Sequence, residues 1–224
     1  ADVFVNPLPI ISGEADICLG STHNIFPNTG GTWLSSDGSV ASIDNTGLIT
    51  SIASGNVTFS FTDVNGCINT SSSITVNELP NEGNPFVTDV TCFGGFDGDI
   101  MIAPMGSYIH SWVGPNSFTA TTQDISGLEA GNYTNTMTDM ATGCVGTYAT
   151  TVNQPASLPT FFGSSVDPFC NGSGDGMITL TSGSGVAPFQ YSIDGGITYV
   201  ASGTFTGLFD GSYTCNVQDA NGCV

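Results

Sequence analysis

The string TDVNGC at residues 62–67 returns as TDMATGC at 138–144 and as QDANGC at 218–223. A triple recurrence predicts stacked copies of one small module. Each copy follows a strand-like run, TFSFTD, YTNTMTD or YTCNVQD, in which alternate residues tend to be apolar or bulky, as in a sheet with one face on a core. Repetition of this kind builds length and does not by itself build an active site.

The chain has no Lys or Arg, 19 Asp plus Glu, and a formal charge of −19. Without a cation it has nothing to neutralise phosphates, so neither nucleic-acid binding nor attachment to an anionic membrane surface is expected. Lysine-dependent chemistry, including Schiff bases and isopeptide crosslinks, is excluded, and trypsin has no site to cut. Only 8% of residues are charged and 39% are apolar, which suits an exposed, folded β-protein better than a disordered acidic tail. No run approaches the roughly 18 apolar residues that span a bilayer, so no membrane insertion is expected. The opening ADVFVNPLPI lacks the regions of a signal peptide, and the chain reads as a mature or internal segment.

The seven cysteines follow the repeats: Cys18, Cys92 and Cys170 open the modules, Cys67, Cys144 and Cys223 close the recurrent motif, and Cys215 is left over. The expected disulfides lie within modules, Cys18 with Cys67, Cys92 with Cys144, and Cys170 with Cys223. A bridge closing a loop of about 50 residues contributes on the order of 4 kcal/mol in the chain-entropy model, which matters for a module of this size. Cys215 is read as a buried thiol, with a rival Cys170–Cys215 bridge left open because Tyr213 precedes Cys215 as in a Tyr-x-Cys strand. Metal binding by these cysteines is the weaker alternative, since no CxxC pair is present. Disulfides imply an oxidising, extracellular compartment.

Linkers fall at NELPNEGNP and NQPASLPT, where proline stops ladder pairing across the boundary. They divide the chain into residues 1–9, the closing strand of a preceding or neighbouring module, then modules at 10–80, 85–155 and 160–224. The fold class expected is all-β, with tandem Ig-like β-sandwich modules in a linear rod. Three modules of roughly 35 to 40 Å would reach on the order of 100 Å.

The stretch GGTWLSSDGSVASIDNTGLITSIASGNVTFSFTD resembles the bacterial Ig-like group 2 domains. The resemblance places Trp33 in the core and Asn45, Thr46 and Gly47 in a turn. The stretches VTCFGGFDGDIMI, SGLEAGNYTNTMTDMATGC and TTVNQP, and then FCNGSGDGMITL, APFQYSIDGG and GTFTGLFDGSYTCNVQDANGC, resemble the SprB-type repeats of Bacteroidota surface proteins. Asn135 and Cys215 depart from the usual Val of that family's late strand. Together the resemblances imply an extracellular adhesin or filament at the bacterial cell surface, with type IX secretion and, in some relatives, gliding motility.

The two ends of the sequence fit each other. After their closing cysteines the first and second modules continue with NTSSSITVNELP and GTYATTVNQPASLP, each a closing strand and a linker, whereas Cys223 is followed by Val224. The opening ADVFVNPLP supplies the matching piece: Val5, Asn6 and Pro7 echo Val76, Asn77 and Pro80, and also Val152, Asn153 and Pro155. The chain is therefore expected to be one period or a window of a longer continuous polypeptide, a subunit whose first strand completes its neighbour, or a plain truncation, with Val3, Phe4, Val5, Asn6 and Val224 at the seam. The partners expected are copies of itself or adjoining repeats, head to tail. An incomplete third module would expose a strand edge with no lysine to guard it, so something is expected to cover it.

Catalysis has no visible basis. His23 and His110 belong to no constellation, and Asp97 and Asp99 are too close together in a Gly-rich turn for a glycosidase pair. The chain is read as no enzyme and as needing no cofactor. Asp97, Asp99 and Asp175 are weak calcium candidates whose turn positions also have a purely geometric explanation. Sequons at Asn56, Asn69, Asn132 and Asn171 occur as chance allows in a chain of this composition. Trp112 with Tyr108 and Phe118 is either core or an aromatic platform for surface glycans, the latter making the alternative function a glycan-binding adhesin module. The main reading is a structural extracellular fibre or adhesin segment.

Overall fold

A computed structural model describes residues 5–81, 83–103 and 106–224. The molecule is almost all β, 46% strand and 1% helix, in several small sheets, which is the all-β, Ig-like class expected from the alternating runs. Chain contacts define two compact units. One comprises Ala1–Gly83, Ala103–Trp112 and Thr134–Tyr148, the other Asn84–Ile102, Val113–Tyr133 and Ala149–Val224.

In the first unit β1 (Ile17–Cys18), β2 (Thr22–Asn24), β3 (Gly31–Ser35), β4 (Ala41–Ile43), β5 (Leu48–Ser51), β6 (Gly55–Val57), β7 (Phe59–Asp63), β8 (Ile68–Thr70) and β9 (Ile74–Asn77) form sheets ordered β1-β9-β6, β2-β5-β4 and β3-β7-β8. The period of two is plain in β7, where Phe59 and Phe61 are buried and Ser60 between them is not. Trp33 lies opposite Phe61 across β3 and β7 with ring centroids 4.9 Å apart, and its indole N–H donates to Pro27 O at 2.9 Å. Ile25, Ala41, Ile49, Ile74 and Val76 complete this core, each large side chain contributing about 1.5–3 kcal/mol by leaving water. The turn at 44–47 is built by Asp44, whose carboxylate accepts from Thr46 N, Thr46 Oγ1 and Leu48 N, and by Gly47 at φ 79°.

The remaining strands are β10 (Phe86–Thr88), β11 (Gly98–Met101), β12 (Tyr108–Val113), β13 (Thr119–Ala120), β14 (Ile125–Leu128), β15 (Gly131–Asp139), β16 (Val145–Val152), β17 (Thr160–Val166), β18 (Gly176–Ser184), β19 (Gln190–Ser192), β20 (Thr204–Leu208) and β21 (Asn216–Gln218). They form sheets β10-β11-β14, β13-β12-β15-β16, β17-β18-β20 and β19-β21. Residues of β12, β15 and β16 are divided between the two units. Tyr133 Oη donates to Glu129 O at 2.9 Å and Tyr213 Oη to Phe209 O at 3.1 Å, each four residues upstream. This is the tyrosine corner of Ig-like sandwiches, formed twice.

The disulfides depart from the expectation. Cys18 is bonded to Cys144 and Cys92 to Cys223, while Cys67, Cys170 and Cys215 are free thiols. Pairing therefore runs from the opening cysteine of one repeat to the closing cysteine of the next, and neither the within-repeat pairs nor the rival Cys170–Cys215 bridge is formed. The reason is the length of the closing strand. Between Cys67 and Asn77, which pairs with Cys18, the chain runs extended through β8 and β9 for about 30 Å, far beyond the roughly 7 Å that two bonded Cα atoms span. In the second repeat the eight residues of β16 likewise separate Cys144 from Asn153, whose carbonyl accepts from Val90 N near Cys92.

Candidate functional site: the cysteine junctions

The recurrent motif is a device for presenting a cysteine. In all of its copies the aspartate N–H donates to the carbonyl of the closing cysteine, Asp63 to Cys67, Asp139 to Cys144 and Asp219 to Cys223. The same aspartate side chains accept from backbone N–H groups inside the loop: Asn65 and Cys67 to Asp63, Ala141 to Asp139, Asn221 and Cys223 to Asp219. The glycine before each cysteine has positive φ, 81° at Gly66, 72° at Gly143 and 82° at Gly222, which a side chain would resist. An Asp followed by two residues (three in the second copy) and Gly-Cys thus makes a self-contained loop that fixes the position of its closing cysteine, which is buried in the second and third copies.

At the first junction Cys18 and Cys144 have Cα atoms 5.5 Å apart. The linker that follows β9 runs past them, and a groove of about 330 Å³ is lined by Leu19, Leu79, Pro80, Met137 and Tyr148. Gly146, two residues after Cys144, is required there, because a Cβ would collide with the carbonyl oxygen of Pro80. At the second junction Cys92 and Cys223 have Cα atoms 5.6 Å apart, and Thr91 O lies 3.5 Å from both Cys223 Sγ and Asn221 Nδ2. Asp89 accepts from Asn153 N at 2.7 Å, fixing the linker beside the opening cysteine. An aspartate does the same in the first repeat, where Asp16 accepts from Thr75 N at 2.7 Å.

Among the seam residues, Val3 and Phe4 lie outside the described residues, Val5 and Val224 are exposed, and Asn6 O lies 4.0 Å from Cys67 Sγ. The calcium candidates are engaged by their own loops. Hydrogen bonds from Thr91, side chain and then backbone, hold the Asp97 carboxyl below the usual range, and Ser173 Oγ and then Phe169 N do so for Asp175. Asp99 is in β11, opposite Thr88. Among the described residues no group of at least three His, Cys, Asp or Glu converges as a metal site.

Trp112 is fully buried, which removes it from any exposed sugar platform; Tyr108 is half-buried and Phe118 packs edge-on against Tyr133. His23 Nε2 sits 2.5 Å from Gly13 O. His110 is buried, with Nδ1 3.0 Å from Asn135 Nδ2. That pairing explains why the late strand carries Asn135, and the sequence signal was a polar residue at an inward position of an alternating run. Cys215, the matching residue of the third repeat, is half-buried.

Comparison with known families agrees with this architecture. The SprB repeat model matches residues 163–198, and the model of the bacterial Ig-like domain (group 2) matches residues 24–73. Among solved structures the chain matches Drosophila OTK extracellular domains 3–5, at 12% identity over 94% of this chain and 92% of that one, TM-score 0.26. It also matches the N-terminal four Ig domains of Dscam1 isoform 6.44, at 10% identity over 99% of this chain and 71% of that one, TM-score 0.22. No curated protein matches the chain. The families matched are Ig-like and repeat domains, typically non-catalytic, and they mark an extracellular, adhesin-like segment. Among the described residues no helix is long and apolar enough to cross a membrane.

Proposed function

We propose that this chain is a tension-bearing segment of a bacterial surface fibre or adhesin, in which head-to-tail repeats give reach and successive repeats are stapled to one another. The observation that carries the reading is the pairing of two opening cysteines, Cys18 and Cys92, each with the closing cysteine of the following repeat. Cys92 lies between Cys18 and Cys144 in sequence, and Cys144 between Cys92 and Cys223, so the two covalent rings overlap. A pull on the ends is shared between repeats and cannot draw out one of them alone. In the chain-entropy model each ring contributes roughly 5 kcal/mol. Export by the type IX route and a part in gliding are what the resemblance to SprB repeats supports for such a fibre.

Single-molecule pulling from both ends tests the reading. The oxidised chain is expected to extend to about 25 nm and the reduced chain to about 80 nm, at about 3.5 Å per residue. Equal extension in the two states would exclude stapling and with it the mechanical role.

A further inference from the structure

The register of the two bridges leaves one closing cysteine, Cys67, and one opening cysteine, Cys170, as free thiols. Two independent features make them halves of one further junction. The first is the segment lying on Cys67. Val5-Asn6-Pro7-Leu8-Pro9 repeats Val76-Asn77-Glu78-Leu79-Pro80 at four of five positions. Pro9 O accepts from Asn69 Nδ2 at 2.9 Å, two residues after Cys67, as Pro80 O lies against Gly146, two residues after Cys144. Segment 5–9 therefore sits on the closing loop of the first repeat as segment 76–80 sits on that of the second. At Cys144 the linker arrives with an opening cysteine, Cys18, paired to Asn77 across β1 and β9. At Cys67 the corresponding Asn6 is in place, 4.0 Å away through its carbonyl, and among the described residues no opening cysteine accompanies it.

The second feature is a groove of about 440 Å³ beside Cys170, lined among others by Pro168, Gly176, Ile178, Leu208 and Tyr213. In the second repeat the equivalent place is filled by Val152, which is 1% exposed and whose Cγ1 lies 2.7 Å from where a Cβ on Gly98 would stand. Gly176 matches Gly98 in the shared Asp-Gly step. Val76 and Val152 are each 1% exposed, but Val5, their counterpart, is 85% exposed. One copy thus carries an exposed valine at the head of segment 5–9, and the same chain carries an open groove where the second repeat holds Val152.

We propose that the groove of the third repeat receives Val5–Pro9 of a second copy of this chain and that Cys170 forms a disulfide with Cys67 of that copy. The proposal rests on the fibre reading above and extends its register, less one hydrogen bond: Pro168 stands where Val90 donates to Asn153 O and has no N–H to give Asn6 O. Val5 enters where Val152 sits in the second repeat, and Asp167 accepts from Asn6 N as Asp89 does from Asn153 N. The two thiols together lose two protons and two electrons as the S–S bond forms. The electrons pass to a disulfide-carrying oxidoreductase, or in vitro to oxidised glutathione, which is reduced to its thiols; the bonds Cys18–Cys144 and Cys92–Cys223 require the same class of oxidant.

Oxidation of the purified full chain with oxidised glutathione tests this on non-reducing gels. The expected result is a ladder at multiples of 22.9 kDa that collapses to 22.9 kDa on reduction. Mapping with a protease that cuts at acidic residues, since the chain has no Lys or Arg, should recover one linked peptide pair holding Cys67 and Cys170. Cys67→Ser and Cys170→Ser should each remain monomeric with unchanged melting temperature, and their mixture should stop at the dimer. Val5→Asp, with every thiol intact, should slow the ladder at least tenfold. Persistent monomer, linkage of like cysteines or through Cys215, or a ladder indifferent to Val5→Asp would each overturn the proposal. Pulling the oxidised Cys67→Ser/Cys170→Ser double variant separates the two levels. Short extension there with no ladder in the parent rejects the junction between copies alone, whereas long extension rejects the fibre reading beneath it.

Discussion

In the second repeat Ile125, Leu128 and Tyr133 are buried; in the third the matching Phe205, Leu208 and Tyr213 are only partly covered. The two stretches have the same tyrosine corner and an equivalent Asp-to-Cys closing loop, one residue longer in the second (Asp139–Cys144) than in the third (Asp219–Cys223), and the hydrogen bonds they share agree within a few tenths of an ångström. Turn and corner geometry is therefore local and survives by itself. Burial is a property of the repeat together with the strand laid along it, which in the second repeat ends in Val152 and in the third has no counterpart among the described residues. The third repeat accordingly shows apolar surface that the second does not: Phe169, 94% exposed, stands where the second has Thr91, and Phe209 where it has Glu129.

The largest effect that sharpens this contrast comes from the cysteines. Replacing both Cys18 and Cys144 by serine is expected to lower stability by about 5 kcal/mol in urea denaturation, while replacing Cys67 and Cys170 in the isolated chain should change it by less than about 0.5 kcal/mol. Equal losses would mean that Cys67 and Cys170 are already bonded within one chain and that the third repeat is not open. Next in size is the matched pair Leu128→Ala and Leu208→Ala. The buried leucine should cost about 3 kcal/mol and its half-covered counterpart about 1 kcal/mol, because only the first leaves a cavity. Adding a peptide of residues 1–11 should raise the cost of Leu208→Ala toward that of Leu128→Ala if segment 5–9 completes the groove. A smaller contrast belongs to the corner: Tyr133→Phe should cost about 1.5 kcal/mol and Tyr213→Phe a few tenths, since water can replace the lost donor only where the ring is accessible.

Much of this architecture was legible in the residues. Alternation in TFSFTD and its echoes announced strands with one buried face, and Trp33 and the turn at Asp44–Gly47 fell where the Ig-like pattern put them. The participation of Cys18, Cys92, Cys144 and Cys223 in disulfides was also legible, but their partners were not. Nearest-neighbour pairing in sequence assumes that a loop of about 50 residues returns to its start, whereas the closing strand carries the chain the length of the sandwich before the linker begins. The pairing is fixed by where the linker docks, and the signal for that is the shared VN-x-LP of residues 5–9 and 76–80. The His110–Asn135 pair was hidden for another reason: two polar residues 25 positions apart meet only once β12 and β15 lie in one sheet.

Acid gives the subtlest way to separate the two repeats. Asp97 in the second and Asp175 in the third both have carboxyls held below the usual range by hydrogen bonds from Thr91 and from Ser173, so their protonation affects both repeats and largely cancels in a comparison. Asp194 does not cancel, because the matching segment of the second repeat, residues 113–117, has no carboxylate. Its carboxylate accepts from Ser192 Oγ at 2.6 Å and from Ile197 N and Thr198 N at 3.0 Å, and these bonds, Ser192's foremost, bring its pKa down to about 2. A folded-state pKa below the unfolded value means a contribution present above the unfolded pKa and lost as pH falls through the folded one. Between about pH 5 and pH 2, amide exchange in β19 and β21 should therefore accelerate relative to β12, after correction for intrinsic rates. Asp194→Asn should abolish that pH dependence while leaving β12 unaffected. If β12 and β19 lose protection in parallel, the loop at Asp194 is not what distinguishes the acid response of the third repeat, and the difference must come from the uncovered groove instead.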